Sequence, residues 1–182
     1  AVIQGGLSRG LRREGAQALL DIGFDAYGYG GWPLDAQGNL LEEMVGLVRE
    51  LVPAEFPVHA LGVGHPANVA ACVAMGYELF DSTMPTRDAR HGRLLVFTRD
   101  PHAAPLSTGK DWFAYIYPGD DKHVKAAAPV SAFCDCLACS RYSLAYLHHL
   151  FQINDTLYFR LATMHNLRFM TRLVERLKEL NV

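Results

Sequence analysis

Pro57-Val-His-Ala-Leu61-Gly62-Val-Gly64-His-Pro66-Ala-Asn-Val-Ala-Ala-Cys-Val-Ala-Met75-Gly-Tyr-Glu-Leu79-Phe-Asp81-Ser-Thr83 is the stretch whose reading decides the fold. An apolar run ends in Gly62 and Gly64, an Ala-rich segment from Pro66 to Met75 has helical character, and a second apolar run from Leu79 to Thr83 is closed by Pro85. Strand, helix and strand follow in that order. Upstream the rhythm repeats. Val2 to Gly6 reads as a strand ending in Gly-Gly, and Arg9 to Gly23 carries Leu11, Ala16, Leu19, Leu20 and Ile22 at helical spacing. Phe24 to Gly31 is a further strand ending in Gly-Gly. A loop through Trp32-Pro33-Leu34-Asp35 leads to an apolar-periodic helix from Leu40 to Leu51.

Strands alternating with helices indicate parallel βα units joined by right-handed crossovers. Each strand ends in glycine or a polar residue, on the edge where such folds place their chemistry. Four units are half of an eight-stranded TIM (β/α)8 barrel, which takes about 250 residues; 182 residues do not close one alone. An open four-stranded sheet and a half-barrel both satisfy the pattern. The half-barrel fits better a chain that opens at Ala1 without a methionine and already inside a strand, and a piece of a longer protein is expected.

After Arg90 the pattern changes. Gly92 to Thr98 and Trp112 to Ile116 are β-rich and separated by a loop containing Pro, Gly and Lys, which predicts a hairpin. Ser143 to Phe151 and Thr156 to Leu180 are helical by periodicity, the second with a break near His165-Asn166. The expected organisation is α/β: residues 1–92 form the βα units, and 93–182 form a hairpin, a cysteine loop and C-terminal helices.

That loop reads Cys134-Asp-Cys136-Leu-Ala-Cys139, with His165 downstream. Three thiolates and one imidazole suit a tetrahedral Zn²⁺ and leave no position open for a substrate, so the metal is expected to be structural. A disulfide among the three cysteines, or three free buried thiols, is the alternative, although cysteines so close in sequence pair poorly. His148-His149 do not extend the site, because adjacent helical residues point in different directions.

Half of the residues are hydrophobic (50%), enough for a sizeable core, and the net charge of −2 excludes a protein that is basic throughout. No stretch approaches the roughly 20 apolar residues of a membrane span, and no secretory leader is recognisable. A soluble, cytoplasmic protein with no membrane attachment is expected.

Several segments, in order, resemble the tRNA-guanine transglycosylase family. They are Val2-Ile3-Gln4-Gly5-Gly6, Gly30-Gly31, Leu61-Gly62-Val63-Gly64, Phe80-Asp81-Ser-Thr-Met-Pro85-Thr86-Arg87-Asp-Ala-Arg90, the cysteine run, Tyr146-Leu147-His148-His149 and His165-Asn166-Leu167. The similarity runs from end to end and is to the C-terminal half of the family, a TIM barrel with a zinc subdomain. The resemblance implies exchange of a guanine in tRNA for a 7-deazaguanine base, and a homodimer formed through the zinc region.

Exchange at one anomeric carbon without release of the sugar calls for a covalent glycosyl-enzyme, for which a carboxylate is the suitable nucleophile. Asp81 matches the family's nucleophile. Ping-pong kinetics without ATP or a redox cofactor follow. The Gln4 amide, which donates and accepts, and the backbone at Gly30, Gly31 and Trp32 match base-reading positions; Leu61 and Gly62 match the floor on which the base stacks. On spacing alone, such glycines simply permit tight βα turns. Arg87 and Arg90 match positions beside the phosphates flanking the extruded nucleotide, while Arg168, Arg172, Arg176 and Lys178 read as either an RNA-facing stripe or an ordinary wet face.

The sequence departs from the bacterial pattern at Trp32-Pro33-Leu34-Asp35-Ala36, where a Leu-Ala-Val-Gly-Glu type of loop helps read the incoming base, and at His91, where asparagine is common. The family's other acid belongs to the half not represented, so this chain alone is expected to be inactive. A DNA 7-deazaguanine transglycosylase and a non-catalytic, zinc-stabilised RNA-binding or dimerisation subunit are the alternatives. Retention of Asp81 argues against the latter.

Overall fold

A computed structural model describes residues 1–103, 106 and 111–180. The chain divides into two compact units, Ala1–Ser82 and Thr83–Val182.

The first unit alternates β1 (Val2–Ile3), α1 (Arg9–Ile22), β2 (Tyr27–Tyr29), α2 (Glu42–Leu51), β3 (Val58–Ala60), α3 (Pro66–Ala74) and β4 (Leu79–Phe80). All strands pair in parallel, in the order β1-β2-β3-β4. Local chemistry sets the helix ends. Ser8 caps α1 by accepting from the Leu11 N–H at 3.3 Å, and Gly23 ends it at φ 84°. Glu42 and Glu43 sit in the first turn of α2 and Arg49 in its last, as the helix dipole favours. Pro66 opens α3.

One face of the sheet contributes Ile3, Tyr27, Tyr29, Val58 and Ala60 to a core shared with Ala16, Val45, Val48, Val69 and Val73, all buried. Each fully buried valine or isoleucine side chain contributes about 1.5–3 kcal/mol. Of the apolar residues at helical spacing in α1, Ala16 is buried, but Leu11 and Ile22 are 58% and 70% exposed. The inward partner of Ala16, one turn earlier, is Arg12.

The second unit contains α4 (Met84–Arg90), β5 (Leu94–Phe97), β6 (Phe113–Ile116), a 3₁₀ turn (Asp121–His123), α5 (Leu137–Arg141), α6 (Leu144–Gln152) and α7 (Thr156–Leu180). β5 and β6 form the expected antiparallel hairpin, from Leu94 opposite Ile116 to Phe97 opposite Phe113. Pro105, Gly109 and Lys110, expected in the loop between them, lie outside the described residues.

The break expected at His165-Asn166 does not occur: α7 is one continuous helix. Leu161, Ala162, His165, Asn166, Phe169, Leu173 and Leu177 recur every three or four residues and form a single buried stripe. The two polar residues interrupt the apolar pattern without interrupting the helix, because both are satisfied from the inside. Asn166 accepts from the Leu95 N–H at 2.9 Å and donates to the carbonyls of Pro85 and Arg93, both at 2.9 Å, so one amide ties α7 to α4 and β5. Among the described residues, no helix is long and apolar enough to cross a membrane.

Replacing Asn166 by alanine orphans a buried donor and two buried acceptors. Allowing for partial rehydration, Asn166→Ala is expected to destabilise the second unit by about 3 kcal/mol, read as a lower urea midpoint at unchanged slope.

Candidate active site and metal centre

Strand register brings four of the candidate residues into one row. Val2 pairs with Gly28, Gly28 with His59, and His59 with Leu79. Side chains alternate along a strand, so two residues further each strand returns to the same face. The next row, one residue past the end of each strand, is Gln4, Gly30, Leu61 and Asp81, at the C-terminal edge of the sheet.

The small residues in these rows leave room for their neighbours. A Cβ at Gly30 would sit 2.7 Å from Gln4 Cδ and 2.8 Å from the Ile3 carbonyl, and one at Gly28 would sit 2.5 Å from Leu61 Cδ1. The missing side chains let Gln4 lie across β2 from one side and Leu61 from the other. Gly31, at φ 97°, turns the chain away beside the Gln4 amide oxygen.

The Asp81 side chain is 62% exposed. Its Oδ1 accepts the Gly62 N–H at 3.1 Å. His59 Nε2 lies 3.0 Å from the same oxygen, but off the line a hydrogen bond requires, and this buried nitrogen has no hydrogen-bond partner. The contact is therefore close and electrostatic rather than a directed bond. Both contacts fall on Oδ1, which leaves Oδ2 unengaged among the described residues.

Arg12 supports this edge from behind. It is 1% exposed and donates to the carbonyls of Gly6, Ile3 and Gly30 at 2.8, 3.1 and 3.1 Å, with its guanidinium 4.2 Å from the centre of the Tyr29 ring. Three charge-assisted bonds to carbonyls compensate the desolvation of the cation. Arg12 also borders a cavity of about 430 Å³ lined by Leu7, Tyr29, Gly31, Trp32 and Leu34. Trp32 is 71% exposed. Asp35 is held within its own turn, accepting from the backbone of Gln37 and Asn39 and from the Asn39 side chain, whose hydrogen bond holds its carboxyl below the usual range.

Arg87 and Arg90 lie on α4 of the second unit, both exposed, with Arg87 Nε 3.8 Å from the buried Asp88. Three arginines of α7 are engaged locally. Arg168 forks onto Asp135 at 2.6 and 2.8 Å, Arg172 donates to the Phe133 carbonyl at 2.7 Å, and Arg176 to that of Pro101 at 2.9 Å. Arg168 and Arg172 brace the cysteine loop, and Arg176 ties α7 to the segment after β5. His148 is buried, with Nδ1 2.7 Å from the Pro118 carbonyl oxygen. The remaining cysteine, Cys72, is fully buried, and burial pushes its thiol up to about 12, so it is inert.

Cys134, Cys136, Cys139 and His165 converge, with all four ligand atoms within 4.8 Å of one another. Cys136 caps the short helix α5, which carries Cys139, and His165 projects from the buried stripe of α7. His165 Nδ1 lies 3.6 and 3.3 Å from the sulfurs of Cys136 and Cys139. The N–S edge of a tetrahedron with bonds of about 2.05 and 2.3 Å is about 3.6 Å. On the other side of the ring, Nε2 is 2.8 Å from the Leu95 carbonyl oxygen, an acceptor that fixes the tautomer and turns the Nδ1 lone pair toward the sulfurs.

Sulfurs this close do not all ionise unaided. Hydrogen bonds from Cys134 and Cys139 lower the Cys136 pKa, while the same cluster raises that of Cys139. Desolvation of His165 opposes its protonation, but Cys134 and Cys136 outweigh it and bring it up to about 9. A divalent cation removes the conflict by stabilising every thiolate together with a neutral imidazole. The residues fit a metal ion in donor type, spacing and ring orientation, and the cysteines form no disulfide.

Helical phase could have pointed to Arg12, since it shares the inward face with Ala16; nothing in the spacing distinguished His59 or the three-way bonding of Asn166.

A parallel βα sheet with a carboxylate at one strand end, accompanied by a Cys3His cluster that could hold a metal ion, defines an α/β protein. Residues 1–180 match the family model described as Queuine tRNA-ribosyltransferase, and the chain belongs to that family. It is 38% identical over 178 residues to the queuine tRNA-ribosyltransferase of Thermoanaerobacter pseudethanolicus, covering 98% of this chain and 44% of that protein. The protein of that name from Shewanella halifaxensis is 37% identical over 177 residues (97% and 43%), and that from Herpetosiphon aurantiacus 36% over 181 (98% and 42%). The chain thus spans less than half the length of these curated relatives.

Metal analysis by mass spectrometry is expected to find about one ion per chain, lost in Cys136→Ser and His165→Ala with a fall in thermal stability. Metal is expected to dissociate as pH falls, because protons compete for the thiolates.

Proposed function

We propose that the protein carrying this chain is a tRNA-guanine transglycosylase, exchanging a guanine in tRNA for a 7-deazaguanine base. The observation that carries this reading is the row Gln4, Gly30, Leu61 and Asp81 at one strand edge of a member of the queuine tRNA-ribosyltransferase family. The names of the relatives supply tRNA as the nucleic acid.

In this reading Asp81 is the nucleophile. A carboxylate oxygen bonds to C1′ of the ribose as the C1′–N9 bond breaks; the glycosidic electron pair leaves with guanine, which takes up a proton. The incoming base gives up a proton and attacks C1′ in turn, and the carboxylate departs. One proton is gained and one lost, with no change of oxidation state and no call on ATP. Gln4, with the backbone of Gly30, Gly31 and Trp32, reads the edge of the heterocycle. Leu61 and Gly62 form the surface beneath it, and Arg87 and Arg90 pair with flanking phosphates.

Cys134, Cys136, Cys139 and His165 hold a structural Zn²⁺. It supplies cross-linking of the cysteine loop to α7, and with four protein ligands it takes no part at the ribose. The sheet is half of a (β/α)8 barrel, and this stretch does not turn over without the other half. A cytoplasmic homodimer formed through the metal region belongs to the same reading.

The test is incorporation of labelled guanine by the full-length protein. Label is expected in tRNA and not in duplex DNA, and Asp81→Ala is expected to lower exchange by about 1,000-fold or more, the scale on which loss of a nucleophile shows. A tRNA–protein adduct that survives denaturation is expected when the second base is withheld, and it disappears in Asp81→Ala. Unchanged exchange by that variant overturns the assignment.

A further inference from the structure

The least accounted-for polar atom in the first unit is Nε2 of His59. It is buried, lacks a hydrogen-bond partner, and sits 3.0 Å from Asp81 Oδ1. Burying an imidazole nitrogen without a hydrogen-bond partner costs its desolvation, a cost the fold accepts at the atom nearest the carboxylate.

The placement follows from register. On β3, Val58 and Ala60 point into the core, so His59 between them points to the opposite face. Its neighbours in that row are Gly28, which offers no side chain, and Leu79. The ring is therefore directed along its own strand toward the C-terminal edge, where Asp81 follows β4. The Gly62 N–H approaches the same oxygen from the turn after β3. The Gly62 N–H donor and the His59 Nε2 contact, from one strand and its turn, thus converge on Oδ1.

We infer that His59 is a positioning residue for Asp81: its Nε2–H and the Gly62 N–H together hold Oδ1, which fixes the carboxylate plane and presents Oδ2 to the reacting carbon. The inference rests on Asp81 being the nucleophile. A carboxylate held by one donor pivots about that bond; a second donor removes the rotation. The Nε2 contact, off line with the free carboxylate, straightens when Oδ2 acquires its bond to carbon and the group settles into a single orientation. Holding a nucleophile this way affects the bond-forming step and leaves the affinity for tRNA or base untouched.

Three variants of the full-length protein test this. His59→Phe keeps a ring of similar size but removes the donor, and His59→Gln retains a donor of similar reach. Asp81→Ala serves as the reference. His59→Phe is expected to lower kcat for guanine exchange on the order of 100-fold, as a misplaced reacting group does, with KM for tRNA and for base within a factor of about two to three. Formation of the tRNA adduct slows in parallel. His59→Gln is expected to recover at least a tenth of the wild-type kcat, a rescue that a packing role does not produce. Circular dichroism and metal content establish that each variant is folded. If His59→Phe does not fold, His59→Gln against His59→Leu gives the same donor-versus-no-donor comparison. Wild-type kcat in the donor-less variants, with Asp81→Ala inactive, overturns the role of His59 alone. A drop confined to KM, or equal losses in the donor and donor-less variants, overturns it as well. An active Asp81→Ala protein overturns the nucleophile assignment, and this inference with it.

Discussion

A guanidinium cut off from water must find acceptors, and the strand edge of the first unit is built around that requirement. Arg12 has its three hydrogen bonds on the carbonyls of Ile3, Gly6 and Gly30. The carbonyls of Gly6 and Gly30 follow β1 and β2, where strand pairing ends, and that of Ile3 already accepts the Gly30 N–H at 2.9 Å and takes Arg12 as a second donor. One side chain thus satisfies the ends of two strands and fixes the turns that follow them. The residues it anchors flank Gln4 and immediately precede Gly31. Removing the cation would take the hydrogen bond from the Gly6 and Gly30 carbonyls and one of two from that of Ile3, so the geometry of the edge and the stability of the unit rest on the same contact.

The second unit solves a similar problem with different chemistry. The cysteine loop contributes Cys136 and Ala138 to the core of the second unit. It is held by α7 at three levels: His165 toward the sulfurs, Arg168 onto Asp135, and Arg172 onto the Phe133 carbonyl. The first is buried and the other two are partly exposed, so the ion pair and the carbonyl bond act as outer braces around the Cys3His cluster. The residue after His165, Asn166, faces β5 and α4 with every polar atom used. Adjacent positions on one helix therefore organise the metal loop and the hairpin together, and α7 runs straight through them.

The alternation of apolar runs and helical periods was legible in the sequence, because a parallel sheet buried against helices leaves a strong signal in Val58, Ala60, Val69 and Val73. The cysteine cluster was legible from ligand type and spacing. The break expected in α7 arose from treating two polar residues as a helix end, when helical phase places both in the same stripe as Leu161 and Phe169. What was not legible is contact made at a distance. The interlock of Gln4 with Gly30, and of Leu61 with Gly28, depends on strand register, which no local pattern encodes. Arg12 looked like one of several charges at the start of α1. The short helices α4 and α5 offer too few residues for a period to show.

The two aspartates of the Phe80–Arg90 stretch show why sequence position alone does not give a role. Asp88 has a side chain 2% exposed and accepts from Arg93 at 2.5 Å, while the Arg93 backbone N–H returns to the Asp88 carbonyl at 2.8 Å. Its charge is neutralised and enclosed, which suits a carboxylate that pins the turn between α4 and β5. Asp81 is largely exposed and meets only a backbone N–H and an imidazole, both on one oxygen. The nucleophilic role proposed for Asp81 calls for that second situation: orientation without neutralisation, since a full ion pair stabilises the ground state and blunts attack. The ninth residue of the stretch is thus spent on holding the fold. The second keeps an oxygen available, and it does so because β4 stops at Phe80 and leaves Asp81 at the open edge of the sheet.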